Sequence, residues 1–556
     1  MGDYLSLFWS GITSVNLREC TTGHILVSES ASLDAAAVVS ANRTTRNAVS
    51  NYAYYGLQAI VLLTLQAYII RSLGKEHYSI WPVLRSCVNI AGLIQIGLGA
   101  GASRFVAVAI GHRDGREIER LVGTYLLATF IGATAFWVAS SVAALNLEVL
   151  FNIPEPYLVE ARWAMIVMGL SGAVQMVAGV FAGILTATQS FVKLNALRST
   201  LLLVRASVIL GSFAVFGADL VWVAVSHLVV SCVEALGCIL LSRSVLPWLK
   251  VTFRRATWST FREVNSFSLL TLVTAVAAKL YWDADNVLIN KTLDPTLVAG
   301  YAIVTLVLLR CSTLTSLASN AVSTPLAVLY GQGQLKRIAQ AIYRANRIAV
   351  PIGGFFIIFI MLFGEEFIEF YAGTEYREYA PLFSLIGVGF LVSATQNLPS
   401  RVPVVFGKVG LPAVMTLTFA LLNVILTLIF VCWFQWGLMG VAGGTVVVQL
   451  LYRATFYPVF VAHLLDEPVM TFFWRTVVIP LAACLPVAGV LSVFRLLELG
   501  DTAIGLLFCG SLGAVVHLLF VVGVGVDSVD RIRVRDLVCR IVRRRGGVFV
   551  DVVRGK

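Results

Sequence analysis

The sequence predicts an all-α, polytopic membrane protein of about fourteen transmembrane helices. Three observations predict this class: the composition, the spacing of the apolar segments and the placement of the basic residues between them. Of the 556 residues, 58% are hydrophobic and only 13% are charged, whereas a soluble domain carries roughly 25% charged residues. These charges are too few to cover soluble domains of this total length, so lipid must be the solvent for much of the chain.

The apolar segments have the length that a bilayer requires. A hydrocarbon core of about 30 Å takes roughly 20 apolar residues in a helix. Segments of this kind fall near residues 53–72, 78–102, 121–145, 158–186, 196–217, 220–242, 264–290, 297–328, 341–363, 379–399, 411–435, 438–462, 473–494 and 503–526. Each segment is therefore predicted to be one membrane-spanning helix.

Basic residues are concentrated in every second loop between the predicted helices. This pattern is expected of a membrane protein, because cytoplasmic loops carry an excess of Lys and Arg. With a cytoplasmic N-terminus, the predicted inner loops hold residues such as Arg113 and Arg254, whereas the predicted outer loops hold Glu148 and Glu365. One missed helix would break this alternation. The pattern predicts an even number of spans, with both termini on the cytoplasmic side of a bacterial inner membrane. The net charge of +11 is then an orientation signal, and no nucleic-acid partner is expected.

An internal repeat divides the chain. Residues 70–74 recur as 290–294 and residues 107–111 as 327–331, with an offset of about 220 residues that spans six helices. The predicted units are an N-lobe at 49–245, a C-lobe at 246–465 and two further helices at 466–526. Residues 1–48 are predicted to be a disordered cytoplasmic extension. The basic tail at 527–556 is either an amphipathic helix on the anionic leaflet or a solvated segment.

Several motifs resemble one transporter family. Residues 68–81 read YIIRSLGKEHYSIW and are followed by Gly97-Leu98-Gly99, while the second half contains Asp285-Asn286-Val287 and the stretch GLMGVAGGT at 437–445. These residues resemble the polysaccharide flippases, the lipid-linked oligosaccharide branch of the multidrug/oligosaccharidyl-lipid/polysaccharide exporter superfamily. The resemblance covers residues 49–525. It implies two six-helix lobes around a central cavity, alternating access, and a polyprenyl-diphosphate-linked oligosaccharide as cargo for cell-surface polysaccharide synthesis.

Four basic residues lie inside predicted spans: Arg85, Arg205, Lys279 and Arg310. Ionisable side chains are costly in the membrane and are functional candidates there. They predict a cationic, water-filled cavity that suits a diphosphate, because guanidinium groups bind phosphate oxygens through charge-assisted hydrogen bonds. The alternative for Lys279 is a structural pair with Asp283, one helical turn away.

Four further ionisable residues are candidates for coupling to a proton or sodium gradient. Asp283 and Asp285 lie two residues apart on different faces of one helix, and the alternative for them is hydrogen bonding between helices. His227 and Glu234 are seven residues apart, hence on one face, and form either a proton relay or a packed histidine beside a carboxylate. Polar side chains that either line a sugar path or bridge helices are Gln175, Gln396, Asn397, Asn423 and Gln449.

The same features exclude other functions. No CxxC spacing is present among the nine cysteines, so neither a metal site nor a cofactor is expected. The predicted outer loops are too short for the catalytic domain of a glycan polymerase, so no enzymatic activity is expected. The expected partners are a lipid-linked oligosaccharide, membrane lipids and glycan polymerase or assembly proteins. The alternatives are a cation-coupled drug or metabolite antiporter, which would favour an acidic cavity, and a flippase of lipid-linked peptidoglycan precursors.

Overall fold

A computed structural model describes residues 27–91, 106, 115–249, 283–521 and 523. Within these residues every regular element is a helix, which confirms the all-α polytopic class. Eleven of the described helices are long and apolar enough to cross a membrane, and Leu297–Thr313 is a shorter apolar helix. The count of fourteen stays a prediction, because the predicted spans at 78–102 and 264–290 extend beyond the described residues.

Five long helices form the first half of the chain. They are α1 (Val27–Ala91), α2 (Gly115–Leu145), α3 (Leu158–Ala187), α4 (Phe191–Phe216) and α5 (Leu220–Val245). Helix α1 contains the first predicted span and part of the second, which meet at Gly74. The φ of 75° at Gly74 lies in the left-handed region that glycine adopts at little cost, so the chain turns there at the predicted outer surface.

The first described helix begins inside the predicted N-terminal extension. Helix α1 starts at Val27, and the run Ala35-Ala36-Ala37 favours a helix there, because alanine has the highest helix propensity. The disorder and the cytoplasmic location of residues 1–48 stay predictions. The prediction for residues 1–26, and that for the basic tail from residue 527 onward, lie outside the described residues.

The second half contains α6 to α14. They are α6 (283–292), α7 (Leu297–Gly331), α8 (Leu335–Leu362), α9 (Gly364–Tyr371), α10 (Ala380–Thr395), α11 (Gly410–Trp433), α12 (Gly437–Leu465), α13 (Val469–Leu496) and α14 (Ala503–Phe520). Helices α11, α12 and α13 each include a π-helical segment, at 429–433, 451–456 and 474–478 respectively.

Each half packs mainly against itself. Helix α3 lies between α2 and α5, and α4 packs on α1 and α5; in the second half α7 packs on α8 and α10, and α10 on α12. Helices α13 and α14 pack on α8, while α1 against α7 joins the two halves. The outer surface of the bundle carries exposed apolar side chains such as Trp433 and Leu507, as expected where lipid is the solvent.

Polar contacts at the predicted outer ends also hold the halves together. Lys75 forms a 2.6 Å ion pair with Glu378. The Asn290 side-chain oxygen accepts a 3.0 Å hydrogen bond from the backbone of Asn152, whose own side chain donates to the Asn290 carbonyl at 3.0 Å. The Arg71 guanidinium donates to the Tyr371 carbonyl. These contacts join the two halves of the chain at their predicted outer ends.

Candidate functional site

Three of the predicted basic residues lie at one level of the bundle. Arg85 is eleven residues beyond Gly74 on α1, Arg205 is eleven residues from the outer end of α4, and Arg310 is thirteen residues from the outer end of α7. At 1.5 Å per residue these positions are about 16–20 Å from the outer ends, near mid-membrane. Arg85, Arg205 and Arg310 are called the arginine cluster below.

The arginine cluster combines charges from both halves of the chain. The charge of Arg85 acts on both Arg205 and Arg310, and the Tyr54 hydroxyl is within electrostatic range of the same two arginines. Within the described part of the chain, none of the three guanidinium groups forms an ion pair with a carboxylate. The positive charges of the two halves are therefore close enough to act on one another.

His227 lies beside this cluster. The Arg205 guanidinium donates to Nδ1 of His227 at 3.3 Å, which assigns Nδ1 as an acceptor because arginine has no lone pair to offer. The imidazole packs against the Trp81 ring, with 5.6 Å between ring centroids. Nε of Arg205 is buried without a hydrogen-bond partner. A buried donor of this kind is expected to find an acceptor, which a bound anion supplies.

Glu234 occupies a second level, closer to the predicted cytoplasmic end. Its carboxylate forms a 3.1 Å ion pair with Nε of Arg198, and only 11% of the Glu234 side chain is exposed. His227 and Glu234 are thus each in contact with an arginine. The proton relay between them stays a prediction.

Asp285 is the centre of a separate buried site, only 2% exposed. Its Oδ2 accepts hydrogen bonds from the Tyr301 hydroxyl at 2.5 Å and the Thr445 hydroxyl at 2.8 Å. Its Oδ1 accepts from Asn423 Nδ2 at 3.3 Å. Residues from four helices, α6, α7, α11 and α12, meet at this carboxylate. This arrangement agrees with the alternative interpretation of Asp285, hydrogen bonding between helices.

Two oxygens on the helix that contributes Asn423 have no hydrogen-bond partner among the described residues. They are Oδ1 of Asn423 and Oγ1 of Thr427, both on α11 and both buried. Gly444 on α12 faces Thr427, and a Cβ there would lie 2.8 Å from the threonine oxygen. Carboxylate, amide and hydroxyl oxygens are the ligands that hard cations take. Asp285, Asn423, Thr427 and Thr445 are called the acidic centre below.

The other predicted acidic residue is Asp283, half-buried on α6, which acts electrostatically on Asp285. Its predicted partner Lys279 lies outside the described residues. Among the residues that the structure describes, no three His, Cys, Asp or Glu side chains group as metal ligands.

A hydrogen bond links the helices that carry the two sites. Asn286, next to Asp285, donates from Nδ2 to Oγ of Ser86 at 3.2 Å, and Ser86 is next to Arg85. Sequence patterns did not indicate this contact, because neither residue is charged and they are 200 positions apart.

The predicted sugar-path residues of the second half are largely packed. Gln396, Asn423 and Gln449 are at most 2% exposed, and Asn397 donates to the Thr315 hydroxyl at 2.5 Å. These contacts favour the interhelical alternative for this group. A cavity of about 550 Å³ opens elsewhere, at the outer surface beside Arg71, Glu369 and Asp501, away from both interior sites.

The sequence is similar to a protein-family model and to a bacterial membrane protein. The MatE family matches residues 271–429. The uncharacterized membrane protein EpsK of Bacillus subtilis (strain 168) is 20% identical over 431 residues, which cover 76% of this chain and 83% of EpsK.

Several solved structures share the fold. The lipid II flippase MurJ, in an inward closed conformation, has a TM-score of 0.66 at 15% identity and covers 88% of this chain and 99% of its own. An inward-facing multidrug resistance MATE transporter has a TM-score of 0.61 at 16% identity, covering 75% and 98%. A superfamily transporter of Pyrococcus furiosus, described by the reversed polarity of its binding pocket, has a TM-score of 0.57 at 16% identity, covering 76% and 96%.

Proposed function

We propose that this chain, which belongs to the multidrug/oligosaccharidyl-lipid/polysaccharide exporter superfamily of membrane transporters, moves a polyprenyl-diphosphate-linked oligosaccharide across the membrane. The resemblance found in the sequence is confirmed for the superfamily. The cargo is the proposal, and the arginine cluster is the observation that carries it.

The arginine cluster suits a diphosphate for electrostatic reasons. Bringing three guanidinium groups together away from bulk water is unfavourable unless an anion neutralises them. A diphosphate offers several oxygens and can accept paired hydrogen bonds from more than one arginine. The lipid tail remains in the bilayer while the head group occupies the cavity, and rocking of the two halves exposes it to the other leaflet.

The drug or metabolite antiporter is the second candidate, since MATE transporters share the fold. A cationic drug requires a negative cavity, whereas the ionisable residues that group at mid-membrane level are Arg85, Arg205, Arg310 and His227. The lipid-linked peptidoglycan precursor carries the same diphosphate, so the arginine cluster does not separate it from the proposed cargo. The transport assay below includes it as a separate ligand.

The acidic centre is the proposed coupling site. A sodium ion bound there would contact Asp285 and the partnerless oxygens of Asn423 and Thr427, while a proton would bind the carboxylate itself. Since Asn286 joins this site to Ser86 beside Arg85, occupancy of the acidic centre can alter the position of the arginine cluster. His227 and Glu234 remain the alternative coupling pair.

The proposed setting follows from loop charge. Both termini are placed in the cytoplasm of a bacterial cell, and the chain in its inner membrane. The proposal also includes the division of the chain into an N-lobe, a C-lobe and a helix pair at 466–526. A glycan polymerase or assembly protein is the proposed partner.

The test is transport in proteoliposomes. We expect wild-type protein to move a fluorescent polyprenyl-diphosphate oligosaccharide and not a cationic dye. Arg310→Gln and Arg85→Gln are expected to lower the rate at least about tenfold, since each removes one charge-assisted contact of about 1.5–3 kcal/mol. Arg475→Gln is the matched control, because Arg475 is exposed and stacks on the Tyr343 ring at 5.3 Å, away from the cluster.

Transport of the dye but not of the lipid would contradict the proposal in favour of the antiporter. Faster transport of a lipid-linked peptidoglycan precursor than of the oligosaccharide lipid would assign the cargo to that class instead. Equal rates for wild type and both cluster variants would remove the arginine cluster from the account.

A further inference from the structure

Helices α4 and α5 carry two charged contacts that repeat at a fixed spacing. Arg205 on α4 meets His227 on α5 at 3.3 Å, and Arg198 on α4 meets Glu234 on α5 at 3.1 Å. The two arginines are seven residues apart on α4, and His227 and Glu234 are seven residues apart on α5. Seven residues correspond to a rise of about 10 Å along each helix. The two helices therefore present an upper contact at mid-membrane level and a lower contact about two helical turns closer to the cytoplasm.

The two levels differ in charge. The upper contact belongs to the arginine cluster and is strongly positive, because Arg85 adds its charge to Arg205. At the lower level Glu234 neutralises Arg198. Going from mid-membrane toward the cytoplasm, the interior changes from an anion-binding surface to a neutral but strongly hydrogen-bonding one.

An aromatic ring connects the two levels. Tyr54 on α1 is half-buried and lies within electrostatic range of Arg198, Glu234 and Arg205. Its hydroxyl accepts a 3.2 Å hydrogen bond from Nε2 of Gln58, one turn further along α1.

One turn before Tyr54, Oδ1 of Asn51 accepts a 2.6 Å hydrogen bond from Asn195 of α4. Asn195 is itself one turn before Arg198. The half-buried Tyr54 ring therefore lies on the face of α1 that looks toward α4, at the height of the lower ion pair.

This combination has the chemistry of a saccharide site. Sugar hydroxyls both donate and accept, so a carboxylate beside a guanidinium satisfies them in both directions. The apolar face of a pyranose ring packs on an aromatic ring, and a neutral site of this kind offers nothing to a phosphate. A diphosphate held at the upper level would place the attached sugars at the level of Glu234 and Tyr54, on the side from which a glycan made in the cytoplasm enters.

We infer that Glu234, Arg198 and Tyr54 form a saccharide-recognition site that reads the sugars next to the diphosphate. The inference rests on the proposed function, since it assumes that a lipid-linked glycan enters the cavity. It adds a division of roles between the two levels. The arginine cluster binds the diphosphate that all such lipids carry, and the lower level selects among glycans.

Binding of two ligands to the purified full-length protein tests this assignment. One ligand is a short-chain polyprenyl diphosphate without sugar, and the other is the same lipid carrying an oligosaccharide. Tyr54→Ala and Glu234→Gln are expected to weaken binding of the glycosylated ligand about tenfold or more, because unpaired polar groups at a recognition site are costly. Binding of the sugar-free ligand should change by less than about twofold.

Two controls bracket the result. Phe130→Ala removes an exposed ring on α2 and should leave both ligands unchanged, while Arg310→Gln should weaken both together. Tyr54→Ala decides the question if Glu234→Gln lowers the yield of folded protein, since removing a half-exposed ring leaves the Arg198–Glu234 pair intact.

Three outcomes would overturn the inference, and they differ from one another. If Tyr54→Ala weakens both ligands equally, the lower level only supports the cavity. If wild-type protein binds both ligands equally well, no sugar is read, although the flippase proposal stands. If wild-type protein binds neither ligand, the proposed function itself fails.

Discussion

Replacing Asp285 by asparagine separates the two roles of the acidic centre, helix packing and cation binding. Asparagine keeps the shape of the side chain and removes its negative charge. Its carbonyl oxygen can still accept from Tyr301 and Thr445, which now meet at Oδ2. Its new amide can donate to Asn423 once that side chain rotates, because Oδ1 of Asn423 has no partner at present.

The expected cost to folding is small. A hydrogen bond to a charged group contributes about 1.5–3 kcal/mol and one between neutral groups about 0.5–1.5 kcal/mol. Three bonds therefore each lose about 1 kcal/mol, while removing a buried charge offsets part of that loss. We expect the free energy of unfolding to change by at most about 2 kcal/mol.

The loss of cation binding should be much larger in relative terms. A cation that binds only the folded protein stabilises it by about 2.7 kcal/mol at one hundred times its dissociation constant. The measurement is the melting temperature of the purified protein in sodium chloride against choline chloride, repeated across pH. The wild type is expected to gain stability from sodium, or to show a pH dependence that Asp285→Asn lacks, beyond the pH dependence that both proteins share. An undiminished response in Asp285→Asn would refute the coupling role of the acidic centre.

Three other predictions follow from named contacts. Gly300→Ala should destabilise the protein by about 1–3 kcal/mol, because a Cβ there would lie 2.3 Å from the Tyr379 ring. Gly211→Ala on α4 should stabilise it by about 0.5–1 kcal/mol, because a Cβ there meets nothing within 4 Å. Equal melting temperatures of the two variants would contradict this prediction. Asn286→Ala should reduce the dependence of transport on the ion gradient more than it reduces lipid binding, while the reverse order would exclude the link to Ser86. The hydrogen bond from Arg377 at 2.6 Å holds the pKa of Glu365 below its ordinary value. The stabilising effect of this ion pair is therefore present above the unfolded pKa of Glu365 and is lost as the pH falls through the lower folded pKa. Glu365→Gln should flatten the acid side of a plot of melting temperature against pH, and an unchanged acid side would show that this ion pair does not stabilise the fold.

The fold class was predictable because the signals that determine it are local. Each span needs only its own apolar residues and the charges at its ends, so the helices of the first half were found to within several residues. The level of Arg205 and Arg310 was predictable for the same reason, since depth follows from counting along one helix.

The pairing of side chains was not predictable in the same way. Asp285 contacts Asn423 and Thr445, which are 138 and 160 positions away in the sequence. These contacts depend on how each helix is rotated about its axis. Hydropathy carries no information on that rotation for helices that are apolar on every face. The distinction between Arg205 with His227 and Arg198 with Glu234 likewise required the relative height of α4 and α5, which is set by their packing.

The most direct test of the central claim is a structure of the wild-type protein with a polyprenyl-diphosphate oligosaccharide bound. The account predicts diphosphate oxygens within about 2.7–3.2 Å of the guanidinium groups of Arg85, Arg205 and Arg310. A diphosphate bound elsewhere in the chain, with the arginine cluster in contact only with water or protein, would contradict it.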